Sequence, residues 1–282
     1  MLLAEIDSGT GRFRNPRRLT LDENASLVSA WTPDSRSVLF TSNRTGTWKI
    51  FRQAIDQPTA EVVLEGSNIF APRLSPDGKR ILYSTGYAED DPSRTVSVMV
   101  IPIEGGAPRE VLRMPSIFNI ECAKSPSKLC LLDSIVGTTA RFSLFDPENG
   151  RTQEFATFEM KLNPNWGLSP DGSQLALCLR CGESKITFMA LADKIPHDIE
   201  LKQRPIVAGM DWAADKQSLF VGATTADGMP EILSVKPDGD VQVVLKGNKG
   251  GWYAWVIPSP DGRYGAVLAA VRESNVWVVE KF

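Results

Sequence analysis

Short apolar runs alternate with polar turns along the whole chain, and the turns repeat. "RLSPDGKRILYST" (73–85), "GLSPDGSQLALCL" (167–179) and "IPSPDGRYGAVLA" (257–269) place the same Ser-Pro-Asp-Gly before an apolar run. Proline presets φ near −65°, Asp bonds the backbone two residues on, and Gly accepts positive φ. With apolar segments on both sides, the phrase predicts a hairpin tip. A calcium loop needs several carboxylates at alternating spacing, and each of these turns has one.

Weaker copies lie between the strong ones. "AWTPDSRSVLFTS" (30–42) has Ser35 in place of Gly, "DWAADKQSLFVGA" (211–223) keeps Asp215 without the proline, and "CAKSPSKLCLLDS" (122–134) shortens the turn. Anchored on Asp34, Asp77, Ser127, Asp171, Asp215 and Asp261, the copies are spaced by 43, 50, 44, 44 and 46 residues. A period in the mid-forties matches a four-stranded propeller blade.

Each copy continues with an alternating strand, such as "TWKIFRQAI" (47–55), "VSVMVIPI" (96–103), "RFSLFDP" (141–147), "KITFMALA" (185–192), "EILSVKP" (231–237) or "NVWVVEKF" (275–282). A short fourth strand follows in "AEVVLEG" (60–66), "PREVLRM" (108–114), "TQEFATF" (152–158) and "VQVVLKG" (241–247). No segment holds a helical period long enough to matter. The expected fold is all-β: a six-bladed propeller of four-stranded antiparallel blades, forming one domain over residues 1–282.

The last blade (252–282) has three strands on this reading and lacks its outermost one. The N-terminal segment offers a spare, so Arg17–Thr20 is expected beside Val276–Phe282, closing the ring and removing open edges. "LLAEID" competes for the third-strand slot, which leaves a seventh, incomplete blade as the alternative. The start in mid-blade suggests a domain cut from a longer protein.

The turn phrase and the strand after it resemble the repeat of TolB-type, WD-like propellers, over essentially the whole chain. More narrowly, "PRRLTLDE", "APRLSPDGKRILY", "CAKSPSKLC" and "SNVWVVEKF" are similar to the C-terminal propellers of certain large bacterial proteins. There the propeller follows a Ser/Thr protein kinase domain or a winged-helix domain. The resemblance implies a sensory or protein-binding module of a signalling protein and supplies no ligand, since propellers host many functions. No kinase motif and no helical domain occur here.

Charge and composition narrow the function. The formal charge is −3 with both signs interspersed, and the one basic cluster, "RFRNPRR" (12–18), reads as a solvated edge, so nucleic acid is not an expected partner. No apolar stretch approaches the ~18–20 residues of a membrane span. The N-terminus lacks a signal peptide's basic and apolar regions. As written the chain is expected in the cytoplasm, or outside it as the tail of a membrane-anchored kinase, and as a monomer.

The single histidine, His197, excludes a three-His metal site, and no G-x-S-x-G elbow is present. "DKIPHDIEL" reads as a polar surface connection. No cofactor or metal is expected. Cys122 and Cys130 flank one turn symmetrically and can face each other, so a disulfide there is feasible but not demanded. Cys178 and Cys181 have C-x-x-C spacing, but strand positions three apart point to opposite faces, and buried thiols are the default.

Propellers bind at the channel mouth, on the face opposite the Ser-Pro-Asp-Gly turns. Phe70, Phe118, Trp166, Trp252 and Tyr253 recur where the chain enters the first strand of a blade. They form either an apolar binding rim or core wedged between blades. Arg44 and the acidic run Glu89, Asp90, Asp91 are expected to charge that rim. The expected function is non-catalytic recognition of a protein, peptide or small ligand. The alternative is a lyase or glycosidase, which needs convergent carboxylates. Glu23, Glu121 and Asp211 are the nearest, and their convergence with perturbed pKa values would favour catalysis.

Overall fold

The structure, a computed structural model, describes residues 1–20, 26–66, 68–86, 95–160, 165–179, 184–204, 206–249 and 251–271. Every helix or strand among them is a β-strand, and the strands form six antiparallel four-stranded sheets. The first two, β1 (Leu2–Ile6) and β2 (Phe13–Arg18), belong to the last blade. Blade 1 is β3 (Ser26–Trp31), β4 (Ser37–Ser42), β5 (Lys49–Ala54) and β6 (Glu61–Leu64). Blade 2 is β7 (Ile69–Leu74), β8 (Arg80–Thr85), β9 (Thr95–Pro102) and β10 (Arg109–Pro115). Blade 3 is β11 (Ile117–Cys122), β12 (Cys130–Val136), β13 (Thr139–Phe145) and β14 (Thr152–Glu159). Blade 4 is β15 (Asn165–Leu168), β16 (Gln174–Cys178), β17 (Lys185–Ala190) and β18 (Pro196–Glu200). Blade 5 is β19 (Ile206–Trp212), β20 (Leu219–Thr224), β21 (Pro230–Val235) and β22 (Val241–Lys246). Blade 6 combines β23 (Gly251–Pro258) and β24 (Tyr264–Val271) with β1 and β2. The innermost strands β3, β7, β11, β15, β19 and β23 contact each other in ring order.

The second strands are apolar nearly throughout because each blade buries both faces. Successive residues of a strand point to opposite faces. Leu39 therefore packs with Ile69 and Ile81 of blade 2, while Val38 packs with Leu3 and Ala266 of blade 6. Leu82 and Leu131 repeat the pattern at the seams of blades 2–3 and 3–4. Six apolar clusters fill the six seams, one apiece.

The Ser-Pro-Asp-Gly turns are built as the sequence predicts. Asp77 Oδ1 accepts from the Lys79 amide at 3.1 Å, while Ser75 Oγ donates to it and accepts from the Arg80 amide. Asp171 and Asp261 make the same bonds in their turns. Ser35 and Lys216, where the weak copies lack Gly, keep positive φ values of 60° and 63°. The backbone shape thus outlasts the residue that suits it best.

Closure uses both N-terminal strands. β1 takes the third slot, with Leu2↔Val267 through Glu5↔Tyr264 in register, because Leu3 and Ala4 complete the two seams flanking blade 6. Arg17 and Arg18 pair with Leu3 and Leu2 of β1, and the expected neighbour Val276–Phe282 lies outside the described residues. No seventh sheet forms among the described residues. "DKIPHDIEL" is also more regular than its composition suggests: it supplies β18, the outer strand of blade 4, where His197 pairs with Phe188 and stands exposed.

At the closing seam two indoles cross between blades. Trp31 Nε1 donates to the Ile257 carbonyl at 2.8 Å, and Trp255 Nε1 donates to the Val28 carbonyl at 3.2 Å. Trp212 makes the matching bond to Gly167 between blades 5 and 4, at 3.0 Å.

Trp31→Phe is expected to lower unfolding stability by about 0.5–1.5 kcal/mol, the net worth of one buried hydrogen bond, measured by urea denaturation. Asp77→Ala is expected to cost about 0.5–2 kcal/mol, as for loss of a side-chain cap, while leaving any ligand binding at the opposite face unchanged in calorimetry.

Candidate functional site

The six innermost strands leave a central channel with a waist. On the face opposite the turns it widens into a cavity of about 480 Å³, and on the turn side it narrows to about 300 Å³. Ser29, Arg73, Glu121, Asp211 and Ile257 line both halves and so form the waist. Arg73, Asp211 and Ile257 each stand four residues before their turn aspartate, at the channel-facing position of a first strand. A charge there cannot turn into a seam without leaving the backbone register that fills the seam with apolar groups.

The waist holds charges of both signs. Arg73 Nε meets Glu121 Oε1 at 2.9 Å, and its Nη1 donates to the carbonyls of Ser29 and Pro72 at 3.1 and 3.3 Å. More loosely, Arg73 Nη2 donates to Asn119 Oδ1 at 3.5 Å, and Asn119 Nδ2 donates to Glu121 Oε1 at 3.4 Å. Asp211 Oδ1 accepts from the Trp212 amide at 2.7 Å. Lys124 closes the turn side of the same group. Asp211 is half-buried and Lys124 exposed at the narrow end, and the protein groups packed around both reduce their hydration. Burial and the Glu121 carboxylate push the Asp211 pKa up to about 7, against Lys124 and Arg73. Burial lowers the Lys124 ammonium, with Asp211 opposing.

The hairpin that presents Glu121 and Lys124 is clamped. Cys122 and Cys130 oppose each other directly in the β11–β12 register and form a disulfide. This decides a pairing that the sequence left open. Cys178 is a free, buried thiol, and Cys181 lies outside the described residues. Behind the wall, fully buried Asp133 accepts from the Asn119 amide at 2.8 Å. Burial pushes its pKa up to about 7, against the Asn119 amide and the Trp166 indole. Its Oδ2 and that indole N–H nevertheless close no bond of normal geometry.

The aromatic candidates divide. Phe70, Phe118 and Trp166 line the wide cavity. Phe118 is 45% exposed; Phe70 is half-buried with its ring 6.3 Å from that of Trp48. Trp166 is also core, edge-on to Phe142 at 5.2 Å in the seam of blades 3 and 4. Tyr253 packs in the seam of blades 5 and 6, against Gly247. Trp252 is 44% exposed but does not line the cavity. Arg44 lies 4.9 Å from the ring centres of Phe40 and Phe51 and donates to Ser26, so it braces blade 1. Glu23 and Glu89, Asp90 and Asp91 fall outside the described residues.

Sequence reasoning missed Arg73, Lys124, Met210 and Trp255 as channel residues. The signal was available for Arg73 only by superposing the repeats, where a charge occupies the site that Ile257 fills in blade 6. It also undervalued the carboxylates: Glu121 and Asp211 do converge. Among the described residues no three His, Cys, Asp or Glu side chains gather as a metal site.

No family model and no curated protein matches the sequence. Solved structures do match. A putative TolB from Agrobacterium tumefaciens superposes with a TM-score of 0.72 at 17% identity, covering 95% of this chain and 97% of that one. TolB from Acinetobacter baumannii gives 0.69 at 17% identity and 88% coverage, and this chain spans 64% of that protein's length. An oligogalacturonate lyase in complex with manganese gives 0.59 at 15% identity, covering 93% of this chain and 76% of that one. At these identities the likeness shows the fold: a TolB-like six-bladed propeller. No helix among the described residues is long and apolar enough to cross a membrane.

Asp211 makes the domain's stability depend on pH with a definite sign. A carboxyl whose folded pKa lies above its unfolded value near 4 stabilises the fold below that value and loses this as pH rises through about 7. Asp211→Asn is therefore expected to gain stability over the parent between pH 5 and pH 8, by at most about 1.4 kcal/mol for each tenfold fall in proton concentration. Chemical denaturation at the two pH values measures it. A gain that shrinks with rising pH would show the carboxylate to be stabilised where it stands.

Proposed function

We propose that residues 1–282 are one recognition domain that binds a protein segment, peptide or small ligand at the wide end of its channel and performs no chemistry alone. The observation that carries this is the wide cavity itself: aromatic and apolar walls over a charged floor, open on the face away from the turns. Pockets of this size with few polar groups are the usual form of a ligand site. Exposed Phe118 and half-buried Phe70 supply the large rings that carry affinity at recognition surfaces. The similarity of "PRRLTLDE" and "CAKSPSKLC" to propellers that follow kinase or winged-helix domains supports a sensory role within a larger bacterial signalling protein.

Catalysis is the second reading, because Asp211 has the pKa of a general acid–base group. Against it, Glu121 is held in an ion pair with Arg73, which leaves one carboxylate where a two-carboxylate mechanism needs a working pair.

A panel of short peptides and amphiphiles, screened by ligand-observed NMR, is expected to yield binders. Their affinity should fall at least tenfold in Phe70→Ser and Phe118→Ser, with Tm within about 3 °C of the parent, the change that roughly 1 kcal/mol makes in a domain this size. Binders indifferent to both changes would move the site elsewhere. Turnover of an oligosaccharide or peptide, abolished by Asp211→Asn, would replace recognition with catalysis.

A further inference from the structure

The waist decides which charge the wide cavity accepts. Among the described residues Arg73 is its one guanidinium, and four of its five N–H donors are engaged by Glu121, Asn119 and two backbone carbonyls. The charge of Glu121 is balanced in return by that ion pair, with Arg73 and Asn119 both on Oε1, whereas among the described residues no ion pair within 4 Å balances Asp211. Asp211 is different. A backbone amide holds its Oδ1, and among the described residues no side chain donates to it. Lys124 attracts it from the narrow side without lining the wide cavity. The carboxylate thus has free acceptor capacity at the foot of a cavity walled by Phe70, Phe118, Met210 and Trp255.

An ammonium group fits this arrangement. It would supply the donors Asp211 lacks, in a channel where charge-assisted bonds are strong. Its hydrocarbon body would lie against the aromatic walls, whose faces also favour a cation. A carboxylate ligand would instead meet Asp211 and Glu121, with the one opposing guanidinium already occupied. We propose that the wide cavity selects a hydrophobic primary amine, with its ammonium on Asp211; this rests on the reading of the cavity as the ligand site. A free alkylamine and the α-amino end of a hydrophobic peptide share that chemistry.

The pH dependence follows from the groups around Asp211. Those facing it are Arg73 of β7, Glu121 of β11 and Lys124 of the following turn, while β15 and β23 bring Trp166, Gly167, Trp255 and Ile257, none of which titrates. An amine that stays protonated to pH 9 should bind better as Asp211 loses its proton.

The probes are 3-phenylpropylamine, 3-phenylpropionate and 3-phenylpropanol for free ligands, with Phe-Leu-amide and its N-acetyl form for peptides. Binding to the whole chain is read by ligand-observed NMR and tryptophan fluorescence at pH 5.5, 7 and 8.5. At pH 7, where both amines are largely protonated, at least one of the two is expected to bind at least tenfold tighter than its uncharged or anionic counterpart. The affinity of 3-phenylpropylamine, which stays protonated throughout, should rise at least tenfold from pH 5.5 to 8.5. The peptide amine, whose ordinary pKa is about 7.7–8.0, should instead bind best near pH 7. The member of the pair that binds distinguishes an alkylamine from a peptide end. Asp211→Asn should abolish both the preference and the pH dependence. Lys124→Met, outside the wide cavity, should tighten amine binding several-fold by removing the competing cation. Equal or tighter binding of the carboxylate or alcohol, or an amine preference that survives Asp211→Asn, would overturn the proposal and leave the cavity as the binding site. Absence of binding by every probe, together with no binders lost in Phe70→Ser and Phe118→Ser, would overturn both.

Discussion

Ring closure is the constraint on which the rest depends. Six blades bury their faces only against neighbours, so an open ring would leave two apolar faces and a strand edge in water. The chain closes by carrying β1 back to β24, where four consecutive residue pairs form the third slot of the last blade. Leu3 then completes the seam with blade 1 and Ala4 the seam with blade 5. The crossed indoles of Trp31 and Trp255 tie the innermost strands together across the same seam, each donating to a backbone carbonyl of the neighbouring blade.

Closure also creates the channel. First strands must bring apolar side chains to both seams, so only the residues pointing to the axis are free to be polar. Blades 2, 3 and 5 use that freedom for Arg73, Glu121 and Asp211. The charges are distant in sequence and meet only because the ring is shut. Once there, limited access to water makes each pairing matter more than it would on the surface. Arg73 and Glu121 settle one another, while Asp211 keeps a free oxygen and a raised pKa.

The turns and the channel floor contrast in how they use aspartate. In the turns, Asp34, Asp77 and Asp261 accept hydrogen bonds from nearby hydroxyl and amide groups, and these hold their pKa values below the usual range. Asp211 and Asp133 sit where burial outweighs their bonds, and their pKa values move the other way. One residue type is thus scaffold on one face and candidate chemistry on the axis, and only the number of donors and the depth of burial separate the roles.

The repeat, the strand order within a blade and the turn chemistry were all legible in the sequence, because each depends on residues close together along the chain. Asp77 with Ser75, or the alternation through Leu131 and Leu132, needs no distant partner to be read. The tertiary structure decided the rest. It placed "LLAEID" in the third slot because two seams needed Leu3 and Ala4, and it made a strand of "DKIPHDIEL" because the edge of β17 needed pairing. It sorted the aromatics: Tyr253 went into a seam, Phe70 and Phe118 to the cavity, Trp252 to the surface outside it. It also brought together Arg73, Glu121, Lys124 and Asp211, whose separation along the chain leaves no local pattern. Local chemistry determines how a blade is made, whereas the direction a side chain faces depends on where the ring closes.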